Sequence, residues 1–214
     1  MVLRSKYGLS KKPKRKGVGS SVKFLGNLSN LTILQTIAIW QTALTILADR
    51  QKSWLFSDAK QVIDAIGKEW ARRSLMPFVP SDCFNWSTTE APTGIGVLST
   101  VGWFEEEMFK LLGYQVGRLA GRPKAIRRAI LAEMYQSILP PILPPEHMRE
   151  WGSPKSAKRL NKIAEAIASF ARDAKRHNGR LDEAIQEWES DLKFLYDKYY
   201  AGHFQFTFPT TAIK

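Results

Sequence analysis

Pro154-Lys155-Ser156-Ala157-Lys158-Arg159-Leu160-Asn161-Lys162-Ile163-Ala164-Glu165-Ala166-Ile167-Ala168-Ser169-Phe170-Ala171-Arg172-Asp173-Ala174-Lys175-Arg176-His177 reads as a single amphipathic helix, and it decides the fold. Leu160, Ile163, Ala164, Ile167, Phe170, Ala171 and Ala174 share one side at about 100° per residue. Lys155, Lys158, Arg159, Lys162 and Arg176 project from the other. Gly179 closes the helix. A second helix opens at Leu181-Asp182-Glu183 and carries Ile185, Trp188, Leu192, Leu195, Tyr196 and Tyr199. The loop between them is short, so the pair should fold back as an antiparallel helical hairpin.

The same periodicity extends upstream. Pro140-Pro141 and Pro144-Pro145 form a stiff connector, and a short turn over Glu146–Trp151 leads from it to the hairpin. Before it, a helix with Pro123 at its first position aligns Ile126, Ile130, Met134 and Ile138. A short helix over Glu105–Leu112 stops at Gly113. Another, from Asp58 to about Leu75, takes Ser57 as its cap and buries Val62, Ile63, Ile66 and Trp70. The first spans about Asn30 to Gln51 with Leu31, Leu34, Ile37, Ala38, Leu44 and Leu47 inward, although its β-branched content leaves a strand open. The expectation is a mostly α-helical bundle with a disordered basic N-terminal arm and an irregular strap rich in aromatics, proline and glycine over 76–102. Three parts follow: the arm at 1–22, a helical pair with the strap at 23–102, and a basic helical bundle at 103–214.

The charge balance points to the partner. The chain has a formal net charge of +12 and a pI near 9.9, which favours nucleic acid or an anionic membrane surface. Lys11, Lys12, Lys14, Arg15 and Lys16 lie in an arm without any acidic residue. Phe24 to Ala48 has no charge and could suggest a membrane span behind those lysines. Asn27, Gln35, Thr36 and Gln41 within it favour a buried core helix instead. Cys83 is the only cysteine, so no intrachain disulfide and no cysteine-built zinc site can form.

Two helices begin with cations where the helix dipole asks for anions: Arg122-Pro123-Lys124-Ala125-Ile126-Arg127-Arg128 and Ser153-Pro154-Lys155-Ser156-Ala157-Lys158-Arg159. A helix N-terminus is also a ready phosphate site. The segment from Ser57-Asp58 to Arg72-Arg73, by contrast, runs acidic to basic as the dipole prefers. If the two inverted helices pack side by side, their N-termini would form one basic patch. The candidate nucleic-acid contacts are therefore Arg118, Arg122, Lys124, Arg127, Arg128, Lys155, Lys158, Arg159, Lys162 and Arg176.

Chemistry is harder to find. His147, His177 and His203 are scattered, and no nucleophile elbow or phosphate-cradling Gly-Lys-Ser/Thr loop occurs. Glu187 and Asp191, one turn apart, read as an exposed acidic face. No metal or cofactor is expected. The favoured reading is a non-enzymatic nucleic-acid-binding subunit of a larger nucleoprotein complex, with DNA or RNA and other protein subunits as partners, cytoplasmic or nucleoid-associated. A protein–protein assembly module using the strap and the Pro-rich connector is the alternative. A metal-dependent nuclease using a carboxylate such as Asp191 stands third.

Overall fold

The computed structural model describes residues 26–78, 106, 108–176 and 181–213. The basic arm, residues 79–102 of the strap, Cys83 and His177 lie outside them. Among the described residues there is helix and no strand, as the periodicity requires.

Helix α1 spans Ile33–Ala48. Thr32 caps it in a reciprocal box, its hydroxyl accepting from the Gln35 amide while the Gln35 side chain accepts from the Thr32 amide. The buried face is Ile33, Thr36, Ile37, Trp40, Ala43 and Leu44, one position away from the expected stripe, so Leu34 faces outward. Trp40 and Thr36 decide this rotation. Trp40 tilts against Trp70 at 5.9 Å, and the Trp70 indole donates to Thr36 Oγ1 at 2.9 Å. A buried indole needs such a partner, which makes a buried threonine cheaper than a leucine there. Among the described residues no helix is long and apolar enough to cross a membrane.

Helix α2 spans Phe56–Ser74. It begins before Ser57, which lies inside the helix, and the capping position falls to Leu55, whose side chain makes no cap bond. Its C-terminal end is tied to the chain entering α1. Glu69 accepts from Arg72 and Arg73, and Arg73 Nη2 donates to the Leu28 and Leu31 carbonyls at 2.9 and 2.7 Å. Chiefly through its bond with Arg72, with Arg73 adding, the Glu69 carboxyl is held down at about 2 despite burial. A depressed carboxyl stabilises the fold above its unfolded value and loses that stability as pH falls through the folded one. Because Arg72 is half exposed and screened by water, wild type should therefore lose only about 1–2 kcal/mol from this group between pH ~4.5 and ~2. Glu69→Gln should show the deficit at neutral pH, and denaturant titrations of the two proteins should converge near pH 2. Parallel curves would reject the assignment.

The chain re-enters through a helical stretch over 108–111. Gly113, at φ 81, ends it as expected, with its amide bonded to the Lys110 carbonyl and the Tyr114 amide to that of Phe109. Helix α3 spans Lys124–Gln136, and α4 is the short Pro145–Glu150. Helices α5, Ala157–Arg176, and α6, Asp182–Leu195, form the expected hairpin. Helix α3 sits at the centre, against α1 on one side and α5 and α6 on the other. One apolar cluster runs through all of it, from Leu28 to Leu195.

Candidate nucleic-acid interface

The expected single patch does not form. The amide of Lys155 bonds to the Tyr135 carbonyl at 2.8 Å and Arg159 reaches the Met134 carbonyl at 2.8 Å. The start of α5 therefore lies at the end of α3. With 13 residues in α3, the two basic N-termini are about 18 Å apart along it.

The cations at the start of α3 turn inward. Arg127 is 2% exposed and bonds to Asp191 Oδ2 at 2.7 Å, Glu187 Oε1 at 2.5 Å and the Arg122 carbonyl at 2.7 Å. Asp191, fully buried, also accepts from the Tyr114 hydroxyl at 3.1 Å. Burial first, then the neighbouring Asp191 charge, pushes the Tyr114 hydroxyl well above its ordinary pKa, so it remains a donor. Arg128 bonds to the Ser190 carbonyl and hydroxyl and lies over the Phe194 ring at 4.9 Å. The acidic pair expected on an exposed face is thus the counter-charge for this inverted helix. Asp191 has no open side for a metal or a substrate.

Arg159 is likewise absorbed by the interior. At 4% exposure it donates to the carbonyls of Trp151, Gly152, Met134 and Ser137. These are the free carbonyls at the ends of α3 and α4, capped from a third helix. Burial lowers its pKa to about 10, so it stays charged at neutral pH. Arg127 and Arg159 cannot serve as phosphate contacts, because their donors are already used inside the fold.

The other candidates divide by location. Arg118 and Lys124 are exposed near the start of α3, and Arg122 is half-buried, 3.3 Å from Gln41 Oε1. Arg176 pairs with Asp173 at the far end of α5. Lys155, Lys158 and Lys162 remain together at the start of α5. Lys158 donates to the Arg149 carbonyl at 3.0 Å, and Lys162 lies 3.4 Å from Glu150. Beside them is a cleft of about 660 Å³, lined by Arg73, Ser74 and Met76 from the end of α2 and by Arg149, Gly152, Ser153 and Pro154 from the turn before α5. Arg72 and Arg73 thereby come to the same end of the bundle as Arg149, Lys155, Lys158 and Lys162, with Glu69, Glu133 and Glu150 among the acids there.

Arg72, Arg73 and Arg149 had no place among the sequence candidates. The first two fit the dipole of their own helix, and nothing in the sequence places the end of α2 beside the turn before α5. No protein-family model, curated protein or solved structure matches the chain. Function must be argued from this end of the bundle itself.

Lys155 supplies one such argument. It is exposed and holds φ 60, a left-handed conformation that favours glycine. The Tyr135 hydroxyl donates to its carbonyl at 3.0 Å, completing a two-point clamp with its amide. A lysine there costs about 1 kcal/mol relative to glycine, and strain of that kind is characteristic of functional positions. Lys155→Gly should raise stability by about 1 kcal/mol in denaturant melts while weakening polyanion binding. A variant that is more stable and binds equally well would make the lysine irrelevant to function.

Proposed function

We propose that the protein is a non-enzymatic nucleic-acid-binding subunit of a nucleoprotein assembly, holding phosphates at the end of the bundle where α2 finishes and α5 begins. The observation that supports this is that exposed Arg149 lines a cleft whose described lining has no carboxylate, with exposed Lys155 next in sequence to its Pro154, Lys158 bonded to the Arg149 carbonyl, and exposed Arg72 at the end of α2. Multiple weak contacts of this type give affinity dominated by counterion release, falling with salt as roughly the 0.9Z power for duplex and 0.7Z for single strands.

The test is labelled DNA and RNA across a salt series, with the double variant Lys155→Glu/Lys158→Glu beside wild type. These side chains are exposed, so the variant should melt within ~0.5 kcal/mol of wild type. Its affinity should fall at least about tenfold, with a shallower salt slope. Equal binding by the two proteins would rule this surface out.

A second reading has its own support. Leu75, 89% exposed, and Met76, 52% exposed, stand beside the proline-walled cleft as an apolar lip suited to a protein partner. It predicts association insensitive to salt and no retention on polyanions.

A further inference from the structure

We infer that the cleft at this basic end receives an unpaired base, so that the nucleic acid held there is single-stranded; this rests on the phosphate-binding reading above. The walls of the cleft are apolar, with Ile33, Met76, Phe78, Ile138 and Met148 among them. The flat faces of Pro141, Pro145 and Pro154 complete them. Its charged members are all guanidinium groups, Arg73, Arg149 and Arg159. Arg73 is paired with Glu69 and Arg159 is spent on four backbone carbonyls, so the positive charge at the rim is that of exposed Arg149, which among the described residues has no carboxylate within ion-pair reach. An apolar slot with uncompensated positive charge at its rim matches the two surfaces of an exposed nucleotide, a flat apolar base and an anionic phosphate. A duplex offers the phosphates but keeps its bases stacked inside, so it can reach the rim and not the slot.

At about 660 Å³ the cleft is within the size range of small-ligand sites and large enough for a base. Lys155 and Lys158 flank it as phosphate contacts, and Met76, 52% exposed, forms part of its mouth.

The experiment measures binding of three probes of about 20 nucleotides at one salt concentration: a thymidine strand, the matching duplex, and an abasic strand with the same phosphates. The thymidine strand is expected to bind about tenfold tighter than either of the others, the effect of roughly one stacked base. Met76→Gln, which changes no charge, should erase most of that advantage and leave duplex affinity within about twofold. Equal affinity for all three probes overturns the slot and leaves the phosphate surface standing. An advantage for the thymidine strand that survives in Met76→Gln overturns it as well, since the base is then read elsewhere. Failure of every probe to bind at low salt removes the phosphate-binding reading itself.

Discussion

Arg127→Met is expected to lower stability by about 3–5 kcal/mol, enough to unfold a large share of the molecule at physiological temperature. The reason lies in what remains. Asp191 is fully buried, and losing its arginine would leave a carboxylate in the interior with the Tyr114 hydroxyl and a long 3.5 Å contact to Arg128. Glu187 would lose its 2.5 Å bond at the same time, keeping only the Gly117 amide. Breaking one partner of a buried pair costs far more than the pair contributes as a whole. The double variant Arg127→Met/Asp191→Leu should therefore be more stable than Arg127→Met alone, by about 1–3 kcal/mol. Urea titrations of the three proteins decide it. A single variant within ~1 kcal/mol of wild type would mean that water reaches this network.

That prediction bears on any mutational test of binding. Charge reversal at Arg127 and Arg128 is the change the sequence invites, because both residues look like a surface cluster at a helix start. In the structure it would place glutamates against Asp191 and Ser190, and lost binding would report lost folding. Lys155 and Lys158 test function cleanly because their side chains are exposed.

The bundle was readable from periodicity because burial of an apolar stripe leaves a local trace. Leu160, Ile163, Ala164 and Ile167 repeat on one face, and all are buried in α5. Gly113 as a helix stop was readable for a similar reason, since φ near 81 suits glycine best. The rotation of α1 was not, because it depends on Trp70 reaching Thr36 across 34 positions. Nor was the fate of the cations. A basic helix start looks the same in sequence whether its charges meet a phosphate or carboxylates of the same chain. Arg127 finds Asp191 64 positions away, and no local rule links them. The candidate interface was half visible. Lys155, Lys158 and Lys162 belonged to it from the outset, but Arg72, Arg73 and Arg149 came to it only because the end of α2 and the turn from α4 to α5 line one cleft.

Arg159→Ala is the second large effect, and it separates two roles that a cation at a helix start can play. If Arg159 served only a ligand, its removal would cost binding and little stability. In the structure its guanidinium holds four carbonyls at the ends of α3 and α4, at 2.6 to 3.2 Å, and its exposure is 4%. Removing it leaves those acceptors buried and unpaired beside a cavity, at a cost of about 3–4 kcal/mol. Arg159→Lys distinguishes shape from charge. The ammonium keeps the charge but is a single point, whereas the planar guanidinium spans acceptors from two helices at once. It should recover only about a third of the loss in urea titrations. Amide exchange should locate the damage at the junction of α3, α4 and α5, with residues near Ser137 and Gly152 opening first. Full recovery by lysine would show that the site requires charge alone and that the four-carbonyl clamp contributes little to holding the basic end together.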